Sequence, residues 1–84
     1  MKFNIDQEKV QAQITEAKRV LNKLYNGQMP KQDMVCIVTA TKGNARARNI
    51  SYGFSFEFTK NNPEIGQVVE NDDYSFSKIV EIIK

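Results

Sequence analysis

The chain has 84 residues, 40 % of them hydrophobic and 26 % charged, with a net charge of +2, a single cysteine and no histidine. That length suits one domain over residues 1–84 with a thin core, since a chain this small covers only roughly 60–65 % of its unfolded surface. One cysteine excludes an internal disulfide framework, and the missing histidine removes the usual general base and metal ligand of neutral pH.

Asp6 to Asn26 has the pattern of an amphipathic helix. Val10, Ile14, Ala17, Leu21 and Leu24 follow a 4-3-4-3 spacing that stacks them in one stripe. Asp6 suits the N-cap, Ile5 and Val10 suit a hydrophobic staple, and Asn26-Gly27 supplies a left-handed stop. Val20 and Tyr25 widen the stripe, so the helix is expected to lie across a sheet. Met1 to Ile5 can add an edge strand before it.

After a short loop around Pro30, Met34 to Thr41 is rich in β-branched residues and predicts a strand. The next stretch alternates. Arg46, Arg48, Ile50, Tyr52, Phe54, Phe56 and Phe58 occupy even positions, while Ala45, Ala47, Asn49, Ser51, Gly53, Ser55 and Glu57 occupy odd ones. A period of two marks an extended strand with one aromatic face and one small, mostly polar face. Gly43-Asn44 between the two runs suits a two-residue hairpin turn. That turn sets Thr41 opposite Arg46, Thr39 opposite Arg48, Ile37 opposite Ile50 and Val35 opposite Tyr52. The aromatic side then holds Val35 and Ile37, and the other side holds Met34, Cys36, Val38 and Ala40. A shift of one residue would exchange the faces of one strand.

Asn61-Asn62-Pro63 is a turn, and Ile65 to Glu70 predicts a short third strand weakened by Gly66. Asn71-Asp72-Asp73 offers N-caps for a last helix, Tyr74 to Lys84, with Phe76, Ile79, Val80 and Ile83 on one face. Its β-branched content would also suit a strand; the caps and the spacing favour the helix. The expected fold is therefore α+β: a small antiparallel sheet of two to four strands with an N-terminal and a C-terminal helix on its aromatic face. Double-stranded RNA-binding domains share the order helix, three strands, helix. Their last helix opens on lysines where this chain has Asn71-Asp72-Asp73, so their binding residues do not carry over.

The chemistry of an enzyme is not written here. Cys36 has no histidine partner and lies in an apolar strand, so a structural thiol is expected. No phosphate loop, CxxC, HExxH or EF-hand spacing occurs, and no cofactor or metal is expected. The apolar run around Val35–Val38 is far too short for a membrane span, and the first residues lack the apolar region of a signal peptide. With one reduced cysteine, a soluble, cytoplasmic protein is expected.

Charge is divided unevenly: residues 1–48 carry nine Lys and Arg against four acids, and residues 49–84 carry three against six. Lys42, Arg46 and Arg48 are the only charges between Met34 and Phe56, and they gather at the expected hairpin tip. Arginine forks at such a place suit carboxylates or phosphates. Met34 and Val38 are expected in a flat, weakly apolar patch on the sheet face without helices, suited to a partner or to a homodimer. The expected function is that of a small non-enzymatic accessory protein acting by protein–protein binding through Lys42, Arg46, Arg48, Met34 and Val38. The rival expectation is a nucleic-acid-binding module that contacts phosphates through the basic tip.

Overall fold

The amphipathic stretch folds as its caps dictate. In the computed structural model, which describes residues 2–84, helix α1 runs Gln7–Tyr25. The Asp6 carboxylate accepts a hydrogen bond from the Glu8 N–H at its start, and Asn26 adopts a left-handed φ of 55° at its end. Val10, Ala17 and Leu21 are buried, whereas Leu24, the last residue of the expected stripe, is 64 % exposed.

Four strands follow: β1 (Met34–Lys42), β2 (Ile50–Phe58), β3 (Val68–Glu70) and β4 (Phe76–Ile83), with a 3-10 turn at Thr59–Asn61. They form one antiparallel sheet in the order β2-β1-β4-β3. The fold is α+β, with α1 laid on one face over β2, β1 and β4. Lys2–Ile5 form no strand, and Met1 lies outside the described residues.

The C-terminal helix expected over Tyr74–Lys84 is instead strand β4, which removes the likeness of order to double-stranded RNA-binding domains. Two local causes explain the change. Asp73 accepts from the Ser75 N–H and hydroxyl, Asn71 N–H donates to the Ser75 carbonyl, and Tyr74 takes a φ of 67°. The expected helix caps thus build the β3–β4 turn, and those bonds hold the Asp73 carboxyl below its ordinary pKa. Downstream, the register between β1 and β4 slips at Val38/Thr39, giving β4 a bulge. The extra residue puts Ile79 opposite Thr39 and Ile82 opposite Ile37, on one face at a spacing of three. A bulged strand thereby imitates helical periodicity.

The hairpin also differs. The connection between β1 and β2 spans Gly43–Asn49 instead of two residues. Thr41 pairs with Ser51, Thr39 with Gly53, Val38 with Phe54 and Cys36 with Phe56. Compared with the expected pairing the register moves by five residues, an odd number, so the faces of β1 exchange. Cys36, Val38 and Ala40 share the helix side with Tyr52, Phe54 and Phe56, and none of the three is exposed at all. Val35 and Ile37 lie on the other face with Ile79, forming a second small apolar cluster joined by Ile82. The segment from Thr59 to Gln67 lines this second face: Pro63 flanks Val35 and Ile82 on one side and Ile37 and Ile79 on the other. Gly66, with a φ of 94°, turns the chain so that its N–H donates to the Ile79 carbonyl.

Candidate functional site

Arg46 and Arg48 belong to the Gly43–Asn49 loop rather than to a strand. Asn44 shapes it: its side-chain oxygen accepts the Arg46 N–H at 2.9 Å and its carbonyl accepts the Ala47 N–H at 3.2 Å. Lys42 at the end of β1 is only 5 % exposed, and its ammonium points inward. It donates to the Lys2 carbonyl at 2.6 Å and to the Ala45 carbonyl at 3.3 Å, and lies 5.4 Å from the Phe3 ring centre. Lys42 therefore ties the loop to the N-terminal segment with its charge turned inward, contrary to its expected place at an open tip.

Arg46 and Arg48 are exposed. The only ion pair among the described residues joins Arg19 to Glu16 on α1, so neither loop guanidinium group has an ion-pair partner among those residues. Arg48 also lines a shallow depression of about 400 Å³ with Asn4, Asp6, Lys9 and Tyr52. Tyr52 links the parts of this depression, because its hydroxyl accepts the Asp6 N–H at 2.8 Å. The Asp6 carboxylate is occupied at the helix start, leaving Arg48 and Lys9 as the cations of the depression. Lys9 was not singled out by the sequence, since only the placement of α1 against β2 brings it here. Two strands away, at the same end of the sheet, Glu70 ends β3 and the β3–β4 turn carries Asp72 and Asp73. This end of the molecule is basic at one corner and acidic at the other.

The five residues expected to bind a partner are not brought together. Val38 is fully buried beneath α1, and partly buried Met34 sits at the opposite end of β1 from Lys42, roughly 27 Å away at strand rise. The expected homodimer patch of Met34, Cys36, Val38 and Ala40 is thus the floor of the core, and the face without the helix is a different surface. That face is concave, with a groove of about 360 Å³ between Ser55 and Glu57 on β2, Asn61 and Gln67 in the crossing segment, and Asn71 and Ser77. Its polar groups largely satisfy one another. Asn61 donates to Glu57 at 2.6 Å, and Asn71 donates to the Ser75 and Ser77 hydroxyls.

Nothing in either concavity pairs a nucleophile with a base, and no group of three metal-ligating side chains occurs among the described residues. Burial pushes the Cys36 thiol up from its ordinary pKa, which lowers its thiolate fraction. Native protein should accordingly resist a disulfide reagent such as Ellman's and react fully once denatured. Labelling of the native protein at the rate of a free thiol would show that the strand does not sit under α1. In comparisons with protein-family models, curated proteins and solved structures, nothing matches the chain.

Proposed function

We propose that the chain is a small non-enzymatic accessory protein that binds another protein, as an inhibitor, adaptor or modulator, in a reducing, cytoplasmic compartment. Arg46 and Arg48 are its contact groups, directed at carboxylates on the partner. One observation carries this reading: two exposed guanidinium groups, without ion-pair partners among the described residues, stand on a loop braced by Asn44 and by the Lys42 ammonium. A braced loop loses little entropy on binding, and forked donors match carboxylates in geometry. The rival reading, a nucleic-acid module, is favoured less. The Tyr52, Phe54 and Phe56 rings are partly covered on the α1 side of the sheet rather than laid open for base stacking, and the acidic residues around the β3–β4 turn at the same end of the sheet repel a polyanion.

The test is partner capture by wild type and by Arg46→Glu/Arg48→Glu. The charge reversal should weaken capture by roughly 2 kcal/mol or more, about thirtyfold, and leave the melting temperature unchanged. Equal capture by both proteins would reject the loop as the contact. Tight binding of labelled nucleic acid that weakens steeply between about 50 and 200 mM salt, and vanishes in the variant, would decide for the rival.

A further inference from the structure

Strand β2 is an outer strand of the sheet, and its unpaired edge has a definite chemistry. Asp33 and Thr59 extend the β1–β2 register by one step, and the Thr59 N–H donates to the Asp33 carbonyl at 2.8 Å. In an antiparallel ladder hydrogen-bonded and non-bonded pairs alternate. The odd residues of β2, Ser51, Gly53, Ser55 and Glu57, are therefore the ones bonded to β1. The even residues, Ile50, Tyr52, Phe54, Phe56 and Phe58, turn their N–H and carbonyl groups outward. The Phe58 N–H confirms the parity, since it donates to the neighbouring Glu57 carboxylate and not to β1. No other backbone bond among the described residues occupies these outward groups.

Edge strands normally carry Lys, Pro or a bulge against pairing with another chain. The nine residues of β2, ISYGFSFEF, hold neither Lys nor Pro, and their register with β1 has no bulge. The edge is also incompletely covered. Six of the nine residues of β1 are buried but none of β2, so the rings on the helix side keep part of their surface in water. Tyr25 meets Phe56 edge-on with ring centres 5.9 Å apart, and it carries this half-covered strip up to the exposed end of α1.

We propose that β2 is the seam of a homodimer, in which a second copy adds its own β2 antiparallel about a two-fold axis at Phe54. The occupant is a second copy because the strand is complementary to itself in this register. Ile50 faces Phe58 of the second copy, Tyr52 faces Phe56 and Phe54 faces Phe54, so aromatic residues oppose aromatic or aliphatic ones on the helix side. On the open side Ser51 faces Glu57 and Gly53 faces Ser55, with no like charges opposed. The outward N–H and carbonyl groups of both strands find partners in this register, the Phe58 N–H by exchanging its Glu57 carboxylate for the Ile50 carbonyl of the second copy. The result is a continuous eight-stranded sheet with both α1 helices on one face. Both Gly43–Asn49 loops stay free, at opposite ends of the seam.

Sedimentation velocity from roughly 1 µM to 1 mM should show wild type moving from the 9.6 kDa chain mass to twice that value. Gly53→Lys/Ser55→Lys opposes ammonium groups across the seam. It should remain monomeric with an unchanged far-UV circular dichroism spectrum, because no atom lies within 4 Å of a Cβ built at Gly53 and Ser55 is exposed. A wild-type monomer throughout, or a variant that still dimerises, overturns the proposal. Residue-resolved amide exchange on wild type supplies a second readout. The Tyr52, Phe54 and Phe56 amides should slow at least tenfold with concentration, and dimerisation that leaves them fast would place the interface elsewhere.

Discussion

Val38→Asp is expected to leave the protein largely unfolded at 25 °C. Val38 has no exposed surface; it lies between Phe54 of β2 and Glu81 of β4 with α1 across it. A carboxylate there meets no donor and stands directly opposite the Glu81 carboxylate in the ladder. Burying an unpaired charge costs several kcal/mol, and a second acid at the opposed position adds to it. The whole stability of a chain of 84 residues amounts to roughly 4–13 kcal/mol, so the substitution consumes most or all of it. Val38→Ala, which removes two methyl groups and leaves a small cavity, should cost about 2 kcal/mol. Urea unfolding followed by circular dichroism measures both. Native-like stability of Val38→Asp would mean that Val38 lies on the open face, as a two-residue hairpin turn would place it.

Lys42→Ala should destabilise by about 1–3 kcal/mol, the cost of losing the charge-assisted hydrogen bonds and the packing of a buried side chain. The Lys2 and Ala45 carbonyls both lose the Lys42 ammonium, and Phe3 loses one of the two lysines near its ring, the other being Lys78 at 5.9 Å. Arg46→Ala, four residues on and exposed, should change stability by no more than about 0.5 kcal/mol. The contrast between two neighbouring cations is the informative result. Equal, negligible effects in urea melts would show that the Lys42 side chain extends into water like that of Arg46.

The helix was legible in the sequence because its signals are local. A cap at Asp6, a stop at Asn26-Gly27 and the stripe through Leu21 depend on neighbours within a few residues, and each is present in the fold. The alternation over Ile50–Phe58 was legible for the same reason. Its partner face was not. Which side of β1 joins the aromatic row depends on loop length, and the Asn44 side chain opens a seven-residue loop where Gly43-Asn44 suits a tight turn. A five-residue change then exchanged every face of β1, moving Val38 from the expected surface to the core. In β4 the bulge opposite Val38/Thr39 gave a strand the spacing of a helix. Of the proposed contact residues, Arg46 and Arg48 were legible as cations that no core could use. The inward turn of Lys42 was not, because its acceptors come from Lys2 and Ala45 and only the folded N-terminal segment completes the site. Lys9 joins Arg48 for a similar non-local reason.

The face exchange, the buried Val38 and the outward amides of β2 all follow from one pairing of β1 with β2. Long-range NOE spectroscopy of the α-protons reads it directly, since opposed α-protons approach closely only in the non-hydrogen-bonded pairs of an antiparallel ladder. Cross-peaks between Cys36 and Phe56, Val38 and Phe54, and Ala40 and Tyr52 are predicted. Cross-peaks joining Thr41 to Arg46, Thr39 to Arg48 or Val35 to Tyr52 would contradict the pairing and everything built on it.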